Sequence, residues 1–394
     1  MNQRIDTILS SYDVVVVGAR AAGASTAMLL ARQGLTTLAI DRGAYGADTL
    51  STHSLAPAGV LQLSRWGVLD EIRRAGTPVA KTVRFHYGDD EVAVDVRPRG
   101  DVDGLYSPRR TVLDAALVDA AIAAGADVRH GVTMVRLTTD GAGRADGVEL
   151  DVNGRRRTVR ARYVVGADGL RSRVARQVGA PVIHREPAAA TSLFAYFDGL
   201  PQDTIENFVE TDRVVGVIPT NDGLACVWVG MARERFERVV RGRAAVAHAA
   251  EIASVPELGA ALRGRAPRSG YRTFAGASGQ LRRAWGPGWA LVGDAGYFTD
   301  PLSAHGITDA FIGAELLADA LTKTLVDGCA AEQAMGEYQR VRDEMARQMM
   351  PPVATVASFP GDMVVVKQAY RDMSRAMRDE FALVESTFGA AVAA

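Results

Sequence analysis

Hydrophobic period changes sharply near the start of the chain. Val14 to Val17 form an unbroken β-branched run, which predicts a strand buried on both faces. Small and apolar residues then recur at helical spacing from about Ala21 to Gln33, and Gly34 stands where a helix stops. Leu35 to Ile40 is a second apolar strand, ending at Asp41-Arg42. The pattern predicts one strand–turn–helix–strand unit with an acid at its far end.

Further along, Pro57 opens two short helices around Gly67. Val83 to Val96 alternates on both sides of Gly88-Asp89-Asp90, which predicts a hairpin. Arg109 and Arg110 open a helix that stops at Gly125. Arginines in a first turn oppose the helix dipole and call for an anionic partner, either a phosphate or a carboxylate. Asp127 to His130 is strand-like. Val135–Thr138, Gly147–Val152 and Arg157–Val165 read as a small antiparallel meander. From about Ala180 to Gly270 alternating runs and short helices form a separate α+β layer. Trp289 to Val292 returns as a buried strand, and a small-residue helix runs from about His305 to Val326. The chain from about Ala331 is helical. Val366, Tyr370, Met373, Met377, Phe381, Val384 and Phe388 share one apolar face, which predicts docking on the protein's own core.

Composition narrows the class. With 394 residues, 48% of them apolar, the chain can bury one large core or two joined domains. A formal charge of −1 argues against a nucleic-acid partner. Cys226 and Cys329 are the only cysteines, so neither a disulfide framework nor a metal site is expected. The N-terminal stretch lacks the apolar core of a signal peptide, and no apolar run reaches the ~18 residues of a membrane span. A cytoplasmic protein, monomer or homodimer, is the expectation.

Candidate chemistry starts at the first turn. Gly18, Ala19, Arg20, Ala22 and Gly23 lie between strand and helix, in the layout of a dinucleotide-binding turn. Gly18 makes the turn, Gly23 lets helix and strand approach, and N–H groups at the helix start can hold a pyrophosphate. Asp41 is placed for a ribose hydroxyl. Arg20 replaces the middle glycine. Thr52 and His53 belong to a polar loop, Thr49 to Ser54, that could touch a cofactor or make ordinary turn contacts.

Two later motifs follow in order: Gly166-Ala167-Asp168-Gly169-Leu170-Arg171-Ser172, and Gly293-Asp294-Ala295 with Pro301 and Gly306. With the first turn they resemble the class A flavoprotein monooxygenase superfamily, the para-hydroxybenzoate hydroxylase-like group, over roughly residues 12 to 325. The resemblance implies an α/β plus α+β fold: a Rossmann-like FAD-binding domain of the GR2 type, an interleaved β-sheet substrate domain and C-terminal helices. The expected FAD-binding domain takes residues 1–80, 105–180 and 275–330. The substrate domain takes 81–104 and 181–274, and the helical region 331–394.

The same resemblance implies FAD contacts at Arg42, Arg110, Asp168, Asp294, Pro301, Gly306 and Ile307. It puts His305 near the flavin ring, as a proton or hydrogen-bond donor or in merely local contacts. The family usually has Gly-Gln where this chain has Ala304-His305. The activity implied is a monooxygenase that hydroxylates or epoxidises a small aromatic or polyketide-like substrate with O2, through a flavin C4a-hydroperoxide. NADPH or NADH, or a separate reductase, would supply electrons. His53 and His305 are the candidate catalytic residues, and His53, Arg84, Tyr196 and Trp228 the candidate substrate lining. The alternatives are a reductase of carbon–carbon double bonds like geranylgeranyl reductases, a halogenase and a non-catalytic flavoprotein.

Overall fold

A computed structural model describes residues 7–388 apart from 52, 188 and 241. Thr52 therefore lies outside the described residues. Val14 to Val17 are buried, as a strand covered on both faces requires. That strand, Ser11–Val17, is central in an eight-stranded sheet. It pairs in parallel with Thr37–Asp41 on one side and Arg155–Gly166 on the other; Asp127–His130 and Trp289–Leu291 extend the parallel set. The small-residue helix Ala21–Arg32 and the helix Gly306–Leu325 share the apolar cluster over one face.

Arg155–Gly166 differs from the simple meander expected of it. Its first half is antiparallel to Ala145–Val152, and its second half runs parallel to Ser11–Val17 and Trp289–Leu291. One long strand thus ties the meander to the main sheet. Its first residues are mostly exposed, exposed and buried positions alternate from Val159 to Arg162, and Tyr163 to Gly166 are buried throughout, where the strand lies inside the parallel sheet.

A seven-stranded sheet holds the alternating segments between residues 190 and 274. The hairpin Thr82–Tyr87 and Asp90–Asp95 forms and joins this sheet, with Thr82–Tyr87 parallel to Thr204–Val209. One face packs on the C-terminal helix Met363–Phe388 through Val366, Ala369, Met373 and Ala376. The carboxyl ends of Ser11–Val17, Thr37–Asp41 and Arg155–Gly166 all open on one cleft, where ligands bind open α/β sheets. No helix among the described residues is long and apolar enough to cross a membrane.

Candidate active site

The cleft has a volume of about 760 Å³. One end is the first turn. Gly18 has φ +103°, and a Cβ there would strike the Ala167 carbonyl; a Cβ on Gly23 would overlap the Gly18 carbonyl oxygen. Both positions admit only glycine. The helix begins after Arg20 with no side-chain cap, so its first N–H groups remain available to an anion. Asp41 accepts N–H bonds from Ala19 (3.0 Å) and Gly43 (2.7 Å), which orients its carboxylate at the end of its strand. Arg42 stands exposed beside it on the cleft wall.

The arginines at the start of the Arg110–Ala123 helix have carboxylate partners. Arg110 grips Asp114 one turn on (2.8 Å), and Arg20 reaches the same carboxylate at 3.3 Å. Two guanidiniums on one acid leave positive charge on the cleft wall. Asp294 faces it. Burial raises the Asp294 carboxyl to about 6, against the lowering effect of Arg110.

Asp168 has a structural use. Its carboxylate accepts from Ser172 Oγ at 2.5 Å and from the Arg173 N–H at 2.6 Å, capping the short helix Arg173–Gln177. It also lines the cleft.

At the other end, Asp300 caps the turn Pro301–Ser303, and Ala304 follows in the left-handed region at φ +51°. A glycine would hold that conformation without a Cβ penalty of about 1–2 kcal/mol. His305, Gly306 and Ile307 then line the cleft at the start of the Gly306–Leu325 helix. His305 is buried, and its Nε2 lies 2.6 Å from Glu380 Oε2 and 3.7 Å from Asp309 Oδ1. Burial lowers the His305 pKa, but Glu380 and then Asp309 overrule it and bring it to about 9. These three groups could be mistaken for a metal site. The 2.6 Å contact is a hydrogen-bond length; two ligands on one tetrahedral zinc stand about 3.4 Å apart.

His53 forms the third part of the site. It is buried in a left-handed conformation, φ +71°, which is strained for a residue with a Cβ. Its Nε2 shares a short hydrogen bond with the Tyr196 hydroxyl, and its Nδ1 is buried without a partner. The Arg109 guanidinium lies 4.0 Å from the Tyr196 ring centroid. Asp48 binds both Arg109 (3.2 Å) and Arg272 (2.9 Å). Burial, then Arg109, Arg110 and Arg272, lower the His53 pKa to about 3, so the ring is neutral. Burial raises the Tyr196 phenol, so it keeps its proton.

Of the residues expected to line the substrate, His53 and Tyr196 meet. Arg84 instead pairs with Glu91 and Glu206. Trp228 is packed near Phe274, Pro301 and Leu302 around a space of about 10 Å³. Sequence reading missed Asp48, Asp114, Arg272, Asp309 and Glu380. Asp114 was accessible from its spacing four residues after Arg110; nothing local points to Glu380.

An extended cleft with a glycine-bounded anion cradle, positive side walls and a helix start at its far end suits a dinucleotide. Residues 11–352 match the family of FAD binding domains. The chain belongs to that family. The flavoprotein is 28% identical to the menaquinone reductase of Mycolicibacterium smegmatis over 325 residues, 79% of this chain and 76% of the relative. It is 27% identical to the rifampicin monooxygenase of Streptomyces venezuelae over 381 residues, 90% of this chain and 74% of that one. The solved structure of a PqsL variant from P. aeruginosa superposes with a TM-score of 0.79 at 21% identity, over 92% of this chain and 100% of the other. The flavoprotein thus has the Rossmann-like FAD-binding fold expected of the class A superfamily and is an FAD-dependent oxidoreductase.

Proposed function

We propose that this oxidoreductase is a monooxygenase acting on a small, electron-rich, hydroxylated aromatic or polyketide-like molecule in the cytoplasm. Gly18, Ala19, Ala22 and Gly23 would hold the FAD pyrophosphate. Asp41 would take the adenosine ribose, Arg20, Arg42 and Arg110 the phosphate charge, and Asp294 the ribityl chain. Pro301, Gly306 and Ile307 would face the flavin ring, and Asp168 would support the wall through the helix it caps. FAD supplies the two-electron chemistry with O2 when bound, with NADPH, NADH or a separate reductase as donor.

The observation that carries the reading is His53. A buried neutral imidazole with an unpartnered Nδ1 lies on the cleft wall, backed by Arg109 and Arg272 on a single carboxylate. In the tautomer whose Nε2–H donates to the Tyr196 oxygen, Nδ1 would accept a hydrogen bond from a substrate hydroxyl, and the guanidiniums behind it would favour that hydroxyl's anionic form. An electron-rich ring is what oxygen transfer requires. The buried wall keeps water from competing.

A reductase of quinones or carbon–carbon double bonds is the second reading. The protonated Tyr196 phenol, bonded to His53, favours it as a proton source, and one relative is named a menaquinone reductase. Purified FAD-loaded enzyme, given NAD(P)H, separates the two on a panel of phenols, quinones and prenylated alkenes. A product carrying one atom of labelled dioxygen is expected. Many turnovers on a quinone or alkene without oxygen would overturn the proposal in favour of the reductase.

A further inference from the structure

His305 and Glu380 are 75 residues apart in sequence and in direct contact in the fold. Glu380 comes from the C-terminal helix Met363–Phe388, while Asp309 stands one turn after His305 on its own helix. All three side chains are buried. Tyr297 faces them from the strand Tyr297–Phe298, with its hydroxyl unpartnered, and Thr299 donates to Asp309 Oδ2 at 3.5 Å. Asp294 acts on Asp309 through space, and Arg342 on Tyr297. His305 Nδ1, Glu380 Oε1 and Asp309 Oδ1 have no hydrogen-bond partner.

Two carboxylates therefore meet one imidazole in a buried place. Leaving both acids ionised against a neutral ring would bury two uncompensated charges, at a cost of several kcal/mol each. The cluster must hold protons. The 2.6 Å contact holds one of them between the ring and Glu380, and the two acids beside the ring favour it on the imidazole. Burial then drives Asp309 toward its neutral form, with its pKa raised to about 7.

We infer that Glu380 is a positioning residue for the flavin: it holds His305 as an imidazolium on the cleft wall beside Gly306 and Ile307, where the flavin ring edge is placed. The inference rests on the proposed placement of the ring at this end of the cleft. A cation there, added to the free N–H groups of the helix start, stabilises the negative charge that the ring gains on reduction. The C-terminal helix thereby sets an imidazolium–carboxylate pair whose positive member is the one on the cleft wall.

The test uses FAD-loaded wild type, Glu380→Gln, His305→Gln and the double variant. The two-electron midpoint potential of bound FAD is measured from about pH 6 to 10, a range that brackets the His305 pKa of about 9. Glu380→Gln should weaken binding of reduced relative to oxidised FAD about tenfold, a fall of about 30 mV. It should also move the pH break near 9 to lower pH. In the His305→Gln background it should change neither. Wild-type values in Glu380→Gln, or the same fall in both backgrounds, overturn the inference. Nitrogen-15 NMR of His305 in the FAD-free protein gives a second reading. An imidazole pKa that stays at its wild-type value in Glu380→Gln overturns the inference; a marked fall supports it. Wild-type protein that binds no FAD would instead defeat the reading of the cleft itself.

Discussion

At the scale of single residues, charge and burial assign work that residue type alone left open. His53 and His305 are both buried histidines on one cleft, yet they titrate in opposite directions. Around His53 the neighbours are Arg109, Arg110 and Arg272, and burial acts with them to lower its pKa to about 3. Around His305 the neighbours are Glu380 and Asp309, which overcome burial and raise it to about 9. One ring is neutral and the other charged at neutral pH, so the two histidines offer the same cleft different electrostatics. Tyr196 shares a hydrogen bond with His53. Tyr196→Phe should lower kcat by roughly 100-fold if the pair moves a proton, and it should leave FAD affinity within about twofold. A matching loss in FAD affinity, followed by flavin fluorescence, would make Tyr196 a packing residue instead. The strained backbone of His53 agrees with a functional constraint, because a glycine would satisfy φ +71° without strain but would leave no imidazole.

At the scale of elements, helix starts organise the cleft. The Ala21–Arg32 helix presents its uncapped start at one end and the Gly306–Leu325 helix at the other. Both starts attract negative charge. A third and much shorter helix, Arg173–Gln177, depends on Asp168 and Ser172 for its cap. Asp168→Ala removes the carboxylate that accepts the Arg173 N–H, and should cost about 1 kcal/mol of stability. Urea unfolding of the FAD-free protein checks this. A loss of FAD binding with unchanged stability would show that Asp168 contacts the cofactor directly. The elements themselves were legible in sequence wherever the period was long and clean: the first strand and helix, the hairpin about Gly88, the alternating strands between 190 and 232, and the final apolar helix face. What escaped was pairing. Arg155–Gly166 serves both the meander and the parallel sheet, and Thr82–Tyr87 joins Thr204–Val209 in parallel. Alternation reports which face is buried and is silent about the neighbour.

At the scale of the whole molecule, Asp300 ties the turn at the cleft to the seven-stranded sheet. It caps the turn after the cleft through the Leu302 N–H (3.0 Å) and accepts the Ala190 N–H at the start of a strand in the seven-stranded sheet (2.7 Å). Burial raises its pKa from 3.8 to about 6, against the lowering effect of those two bonds. The folded state therefore binds this proton more tightly than the unfolded chain. Its contribution is fully present below about pH 4 and is lost as pH rises through about 6, a change of up to about 3 kcal/mol. Relative to Asp300→Asn, wild type should lose stability between about pH 4 and 6, measured by urea midpoints; a pH-independent difference would place the carboxyl in water. The C-terminal helix extends the same principle, covering the seven-stranded sheet with one part of its length and bringing Glu380 against His305 with another. By itself the sequence determined the glycine turn and the strand–helix–strand unit around it, because Gly18 and Gly23 act through backbone geometry five residues apart and Asp41 ends the next strand of the same local unit. Only the tertiary structure decided that Tyr196 meets His53, that Arg109 and Arg272 share Asp48, and that Glu380 meets His305. Those meetings depend on how two sheets and a distant helix pack together, and no local propensity encodes which buried charge a folded chain will bring to another.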